Sequence, residues 1–246
     1  MMYLLIDAGN SRVKWLYGRG VPGIVEAVSY KSAWQERLYR AWHLLPEPRH
    51  IALSNVNHGE VAQFVRDLAQ QLWQRDVETF VPQKHNPLNL TLAYEQPEKF
   101  GTDRFLALLG ARDLCSQALC VVGCGTAITL DALDKHGNHL GGFILPGIRL
   151  CENALLNNTQ KLVPMRWTPH LLGTDTASCI GAGIHHALPA GINAIADELE
   201  GKYGDYFQRF AFGGDAQILF GNQPNYQIEP DLLFRGMLAH LNAKAL

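Results

Sequence analysis

The sequence predicts an α/β fold made of two copies of one βββα unit, each a mixed β-sheet flanked by helices. Two observations predict this fold. Strand-like and helix-like segments follow one another in the order βββαβαβ, which is typical of a sheet with helices on its faces. A segment near residue 121 then repeats the pattern of the N-terminus, and the signals after it recur in the same order.

Composition limits the classes of function that the chain can have. Of its 246 residues, 47% are hydrophobic and 18% are charged, so the sequence predicts a soluble globular protein with a sizeable core. A net charge of −2 supplies no basic surface for nucleic acid or membrane, and no apolar run approaches the roughly 20 residues of a membrane span. We therefore expect a cytoplasmic protein with small-molecule ligands. Five cysteines without a CxxC pair indicate neither a disulfide framework nor a zinc site.

The N-terminal stretch predicts a β-hairpin with charged residues at its tip. Residues 3–6 are an apolar run typical of a buried strand, and they lead into the carboxylate of Asp7. The dipeptide Gly9-Asn10 predicts a tight turn, and the alternation over residues 12–15 predicts the return strand. A carboxylate, a turn rich in N–H groups and two cations could hold a metal-bound polyphosphate. An ordinary hairpin fits the same residues, so this stretch alone leaves both readings open.

The rest of the first half predicts further strands and helices. Strands are predicted over residues 24–30, 51–56 and 78–81, and helices over residues 34–45 and 59–75. Residues 88–94 alternate as an edge strand would, and another helix opens at the segment GTDR, residues 101–104. We place a boundary near residues 114–117, which gives domains 1–115 and 116–246.

The second half repeats the first. Residues 121–127 align with residues 5–11 without a gap, apolar pair on apolar pair and Gly125 on Gly9. Strands are then predicted over residues 129–133 and 140–145, and Pro146-Gly147 introduces a helix that extends to about residue 155. The order βββα therefore occurs twice, which favours an internal duplication over a chance match.

The last third predicts a polar loop over residues 157–174, a long helix over 176–199, a strand over 207–212 and a final helix over 231–243. Pro189 is expected to kink or split the long helix. Small residues four apart on this helix let another backbone come close; they are Gly183, Ala187 and Gly191. The pattern favours packing on a partner subunit, and packing within the domain is the alternative.

Glycine-containing turns and one acidic helix start are the candidates for chemistry. The turns lie at strand ends, over residues 8–11, 123–127 and 213–216, where backbone N–H groups could bind phosphates and a diglycine could admit a flat base. Asp103 opens a helix, where a carboxylate favours the helix dipole and could also serve as a general base. Arg104 beside it could bind a carboxylate or join a salt bridge. Neither a P-loop nor a dinucleotide-binding motif is present.

Five motifs in order carry a resemblance to a known family. They are DAGNSRVK at residues 7–14, GTDR at 101–104, GTAITLD at 125–131, GGFILPG at 141–147 and GTDT at 173–176. This series resembles that of the type III pantothenate kinases. The resemblance implies two duplicated actin-like, ribonuclease H-like domains, as in the actin and sugar-kinase ATPases. It also implies ATP-dependent phosphorylation of pantothenate, the first step of coenzyme A biosynthesis, by a homodimeric transferase.

The resemblance also assigns roles to residues. Asp103 would be the general base, and Asp7 would help to place Mg²⁺ with ATP. The ATP phosphates would be bound by Asp7, Ala8, Gly9, Asn10, Ser11, Arg12, Val13, Lys14 and Thr126. The pantothenate pocket would be formed by Tyr94, Gly101, Thr102, Asp103, Arg104 and Thr176. Arg104 suits an anionic substrate.

One position departs from the family pattern. The resemblance implies an acidic residue two positions before the glycine of the second hairpin, where it helps to bind K⁺ or NH₄⁺; this chain has Gly123 there. We therefore expect the monovalent-cation requirement to be lost, weakened or met by other ligands. Two alternatives to the kinase remain on the same fold: a non-catalytic regulator like the Bvg accessory factor, and a kinase of another small alcohol.

Overall fold

A computed structural model describes residues 1–31, 33–159 and 161–244; Gln160, within the predicted loop, lies outside the described residues, as do Ser32, Ala245 and Leu246. The chain divides into two compact units. One unit comprises Met1–Leu114 together with the segment that begins at Asp231, and the other comprises Cys115–Pro230. The predicted division into domains 1–115 and 116–246 differs from this one because the last helix packs with the first unit.

The sheet of the first unit is mixed, as predicted. Its strands run in the spatial order β3-β2-β1-β4-β5, namely β3 (Val25–Ser29), β2 (Arg12–Gly18), β1 (Tyr3–Ala8), β4 (His50–Asn55) and β5 (Glu78–Thr79). Strand β1 pairs antiparallel with β2 and parallel with β4. Residues 4–6 of this strand are fully buried. Helices α1 (Trp34–Trp42) and α2 (Gly59–Trp73) place Leu38, Trp42 and Val65 in the core that the strand helps to form.

The segment after β5 forms a small hairpin instead of the predicted edge strand over residues 88–94. Strands β6 (His85–Asn86) and β7 (Leu90–Thr91) pair only with each other. The prediction was wrong because Asn89 takes a positive φ of 56°, which reverses the chain inside the alternating stretch. The next helix, α3 (Thr102–Leu114), begins within the GTDR segment, and its residues 104–112 are all buried. Being buried on every side, α3 shows little amphipathic pattern.

The sheet of the second unit has the same strand order as the first. It runs β10-β9-β8-β11-β12, with β10 (His139–Pro146), β9 (Ala127–Leu133), β8 (Leu119–Cys124), β11 (Gln208–Phe212) and β12 (Tyr226–Ile228). The gapless match of residues 121–127 to residues 5–11 holds only along the strand. In the first hairpin Ala8 pairs with Val13, whereas in the second Cys124 pairs with Ile128, so the second turn is one residue shorter.

Three helices complete the second unit: α4 (Ile148–Asn158), α5 (Thr176–Tyr203) and α6 (Ala216–Phe220). A capping box begins α5, because the Asp175 side chain accepts a hydrogen bond from Ser178 N–H and the Ser178 hydroxyl accepts one from Asp175 N–H. The helix continues through Pro189 as one element, so of the two expected effects, a kink or a split, the split does not occur. Helix α6 and strand β12 were not predicted, since five and three residues are too short for periodicity to indicate.

The last helix, α7 (Leu232–Lys244), crosses α3 at a pair of glycines. A Cβ atom on Gly236 would overlap the carbonyl oxygen of Leu106, and one on Gly110 would overlap the carbonyl oxygen of Leu232. The two helix backbones can approach this closely only because both positions lack a side chain. This contact explains why the C-terminal helix belongs to the first unit. Among the described residues, no helix combines the length and apolar character needed to cross a membrane.

A buried histidine of α7 ties that helix to the β6–β7 hairpin. Nδ1 of His240 lies 3.0 Å from Nδ2 of Asn86, whose Oδ1 accepts a hydrogen bond from Leu88 N–H. Because Oδ1 is already an acceptor, Nδ2 must be the donor and Nδ1 of His240 the acceptor. Burial lowers the pKa of His240, and Lys244 lowers it further against the opposing charge of Glu78. The hydrogen bonds therefore require that Nδ1 carry no proton, and the lowered pKa favours this neutral form with its proton on Nε2.

We predict that Gly236→Ala lowers the free energy of unfolding by about 1–3 kcal/mol, because the added methyl group forces α3 and α7 apart. Urea denaturation followed by circular dichroism measures the change. Gly201→Ala is the matched control, since a Cβ atom there meets nothing within 4 Å in helix α5. That control is expected to leave stability unchanged or to raise it by up to about 1 kcal/mol. Equal stability of Gly236→Ala and the unmodified chain would contradict the close crossing.

We predict that His240 makes the protein less stable as the pH falls. The pKa of His240 is lower when folded than when unfolded, so its contribution is present above the unfolded pKa of about 6.5 and is lost as the pH falls through the folded value. His240→Asn keeps an acceptor near Nδ1 but does not titrate. Urea denaturation at pH 7, 6 and 5 should therefore give a shallower loss for this variant. An identical pH dependence of the variant and the unmodified chain would contradict the contribution assigned to His240.

Candidate functional site

The first hairpin presents its cations on one face and its apolar side chains on the other. Asp7 pairs with Lys14 across β1 and β2, while Val13 and Trp15 point into the core. The turn between the strands is closed by a hydrogen bond of 3.1 Å from Gly9 N–H to the carbonyl oxygen of Arg12. The charged tip that the sequence predicts is therefore present, with the turn beside the carboxylate.

Asp7 is buried and electrostatically strained. Only 7% of it is exposed, and burial raises its pKa to about 6. The charge of Asp103 adds to this rise, whereas Lys14 and the neighbouring hydroxyl of Ser54 oppose it. Among the described residues, Oδ1 of Asp7 has no hydrogen-bond partner. A buried carboxylate with an unused oxygen is suited to receive a cation.

Asp103 lies in the first turn of α3, near enough to Asp7 for the two charges to interact. Its Oδ1 accepts a hydrogen bond of 2.8 Å from the backbone N–H of Arg104. The stabilising role of a carboxylate at a helix start is thus present in this residue. Asp103 therefore also lies close to the carboxylate of the first hairpin, a proximity that the sequence analysis did not predict.

Arg104, Phe100 and Tyr94 form a stack at the start of α3. The guanidinium carbon of Arg104 lies 4.5 Å from the centre of the Phe100 ring, and Tyr94 meets the same ring edge-on at 4.8 Å. Arg104 is buried, and Thr102 beside it is buried as well. The carbonyl oxygen of Gly101 accepts a hydrogen bond of 2.9 Å from Phe105 N–H in the first turn of the helix. These residues, predicted separately as a substrate pocket, are therefore contiguous.

In the second unit, three glycine turns meet at the tip of the second hairpin. A Cβ atom on Gly147 would overlap the carbonyl oxygen of Gly125, and one on Gly213 would overlap that of Cys124. Gly213 has a φ of +99°, which favours glycine. Thr126 is exposed at this tip, and its carbonyl oxygen accepts a hydrogen bond of 3.0 Å from Gly147 N–H. The predicted turns 123–127 and 213–216 thus lie together, joined by Pro146-Gly147.

Gly123 lies where a side chain has little room. A Cβ atom there would be 2.8 Å from Oγ1 of Thr129 and 3.1 Å from the ring of Phe212. The phenylalanine ring occupies the space that a carboxylate at this position would need. The side chains around residue 123 therefore leave little room for the acidic residue that the family pattern implies there.

Thr176 is the first residue of α5 and lies in the second unit with Thr126. It borders an open cleft of about 690 Å³ whose walls are largely apolar, formed by Leu155, Leu162, Cys179, Ile180 and Ile184 among others. The small residues predicted for partner contact, Gly183, Ala187 and Gly191, are exposed. The segment between α4 and α5 also exposes Leu171 and Leu172, at 71% and 78%.

Sequence reasoning missed a polar loop that contacts the first hairpin. Residues 54–58, with the sequence SNVNH, comprise the end of β4 and the loop after it, and Nδ2 of Asn57 donates a hydrogen bond to the carbonyl oxygen of Gly9. Loop residues have no periodicity to indicate them. The available signal was the position of polar residues at the end of a buried strand that lies parallel to β1, since parallel strands end at one edge of a sheet.

Solved structures confirm the fold class. An archaeal actin homologue matches 100% of this chain and 99% of its own with a TM-score of 0.50 and 13% identity. A protein of Campylobacter jejuni named for the Baf family of transcriptional activators matches 98% of both chains, with a TM-score of 0.65 and 21% identity. At these identities the likeness extends to the fold and no further.

Sequence comparison identifies the family. The sequence model of the type III pantothenate kinases matches residues 3–198. A type III pantothenate kinase of Dichelobacter nodosus is 69% identical over 241 residues, which cover 98% of each chain. Another, from Nitrosococcus oceani, is 33% identical over 96% of this chain and 92% of its own. Together with the actin-like fold and the hairpin motifs at its site, these matches show that the chain belongs to the type III pantothenate kinase family.

Proposed function

We propose that this chain transfers the γ-phosphate of ATP to the primary hydroxyl of pantothenate, the first step of coenzyme A biosynthesis. The match to type III pantothenate kinases over nearly the whole chain carries this proposal. The proximity of Asp7 and Asp103 supports it. A candidate base beside a turn suited to polyphosphate is what phosphoryl transfer to a hydroxyl requires.

Mg²⁺ accompanies the ATP, and Asp7 is the residue of this chain that suits it. Mg²⁺ is commonly held by one or two carboxylates together with substrate phosphates. The unused Oδ1 of Asp7 fits that arrangement. The described part of the chain has no group of three or more His, Cys, Asp or Glu side chains that could hold a metal alone, which suits an ion shared with phosphates. When bound, the ion would offset the negative charge of the phosphates.

Asp103 acts as the general base. The hydroxyl proton of pantothenate moves to the Asp103 carboxylate as the hydroxyl oxygen bonds to the γ-phosphorus. The bond between that phosphorus and the bridging oxygen breaks, and ADP leaves with the electron pair. The hydrogen bond from Arg104 N–H to Oδ1 fixes the orientation of the carboxylate, which supports this role.

The substrate pocket is built on the start of α3. The positive charge of Arg104 suits the carboxylate of pantothenate, and its packing against Phe100 restricts the side chain before the substrate arrives. Tyr94, Gly101 and Thr102 line the pocket beside it, and Thr176 adds a further contact. The ATP phosphates lie on the turn and strand from Asp7 to Lys14, and Thr126 binds them from the second hairpin.

The enzyme is a homodimer in this proposal. The exposed leucines of the segment before α5 and the exposed small residues on that helix support it, because such a surface is suited to cover by a second copy. The regulator alternative is not favoured. The likeness to the Campylobacter jejuni protein extends to the fold alone, and Asp7, Asp103 and Arg104 are all present here. Specificity for another alcohol is likewise less favoured than pantothenate, given the 69% identical relative.

We predict that Asp103→Asn lowers kcat by about 10²- to 10⁴-fold, because the amide cannot accept the hydroxyl proton. The KM for ATP should change by less than about threefold. Asp113→Asn on the same helix is the control, since Asp113 pairs with Arg235 at the surface, 3.2 Å away. A coupled assay of ADP release with pantothenate measures both. Nearly full activity of Asp103→Asn would refute the base, and no turnover by the unmodified chain would refute the function.

We also predict that activity persists without K⁺ or NH₄⁺. Position 123 has no carboxylate, and the ring of Phe212 fills the space for one, so the residues present do not fit the family's cation site. Replacing K⁺ with tetramethylammonium at constant ionic strength should change the rate by less than about twofold. The same replacement in a relative that keeps the acidic residue is the control. A steep loss of rate in this chain would overturn the prediction.

A further inference from the structure

The loop between β4 and α2 holds the turn of the first hairpin through Asn57. Nδ2 of Asn57 donates a hydrogen bond of 2.9 Å to the carbonyl oxygen of Gly9. The adjacent backbone N–H of Val56 donates to the carbonyl oxygen of Ala8 at 3.1 Å. Two successive carbonyl groups of the turn are thus bound by one loop.

The amide of Asn57 is fixed in orientation by its neighbours. Its Oδ1 accepts a hydrogen bond of 2.6 Å from His58 N–H, so Nδ2 is the end that faces Gly9. Asn55 shapes the same loop, because its side chain accepts from Asn57 N–H and donates to the Asn57 carbonyl oxygen, both at 3.2 Å. The donor to Gly9 is therefore in place before any ligand binds.

Two further carbonyl groups at this end of the hairpin also accept hydrogen bonds from the protein. The carbonyl oxygen of Ser11 accepts from Tyr30 N–H at 3.3 Å, and that of Arg12 accepts from Gly9 N–H at 3.1 Å. The donor to Gly9 differs from these, since it is a side chain and can be removed by substitution. Asn10 N–H, at the tip, has no acceptor among the described residues.

This arrangement matters because a phosphate is repelled by carbonyl oxygens and attracted by N–H groups. A turn binds polyphosphate only if its carbonyl groups point away from the ligand. We infer that Asn57 is a positioning residue for phosphoryl transfer, which holds the Gly9 carbonyl away from the ATP phosphates so that the turn can offer the Asn10 N–H to them. The inference rests on the proposed role of residues 7–14 as the phosphate-binding segment.

Substitution of Asn57 tests the inference. Asn57→Ala removes the donor, and we expect the KM for ATP to rise about tenfold while the KM for pantothenate changes by less than twofold. Asn57→Asp keeps the shape but turns an acceptor and a charge toward Gly9, so its KM for ATP should rise further. Gln63→Ala is the matched control, because the Gln63 amide bonds to Asp67 on α2. Inhibition by adenosine, which lacks phosphates, should be unchanged in all three variants.

Each other outcome has a definite meaning when Lys14→Ala is measured beside these variants. A parallel weakening of adenosine and ATP in Asn57→Ala would show general structural damage and overturn the inference. A normal KM for ATP in both Asn57 variants, with a raised KM in Lys14→Ala, would overturn it while the phosphate hairpin stands. A normal KM for ATP in all of these variants would refute the phosphate-binding segment and the inference with it.

Discussion

The double pairing of strand β1 is the constraint on which the first unit depends. Because β2 lies on one side of it and β4 on the other, the strand is enclosed, and its last residues emerge where both neighbours also turn. Asp7 is carried into this enclosed position by an otherwise apolar strand, and burial raises its pKa to about 6. The cost of burying that carboxylate is tolerable if a cation and Lys14 share its charge. Burial of Asp7 on this apolar strand thus favours the binding of a cation, as proposed for the site.

Close backbone contact plays the same part in the second unit that hydrogen bonding plays in the first. Gly147 and Gly213 bring two turns against the second hairpin so tightly that neither tolerates a Cβ atom. In the first hairpin the turn is held instead by the amide of Asn57 and by neighbouring N–H groups. Both solutions fix the backbone of a short turn in advance, which limits the ordering that ligand binding must impose.

The sequence predicts elements whose residue pattern is local. It does not predict contacts that depend on the close approach of two backbones far apart in the chain. The hairpins and most helices follow from periodicity and turn residues, and the grouping of Tyr94, Gly101 and Arg104 followed from the family resemblance. The assignment of α7 to the first unit depends on Gly110 and Gly236 lying against backbone, which no periodicity records. Asn57 was missed for a related reason, since its partner lies 48 residues away in the chain. A role that depends on one polar contact between residues far apart in the chain can be recognised only from the structure.

The two hairpins show how far the duplicated halves have diverged. They share the glycine that begins the turn and the strand order around it, but the second turn is one residue shorter and has Gly123 where the first has Asp7. In the first unit the charges of Asp7 and Asp103 lie near each other, whereas in the second unit residue 123 has no side chain and the ring of Phe212 lies beside it. The two halves therefore keep one strand order, while only the first retains a buried carboxylate near the end of its central strand.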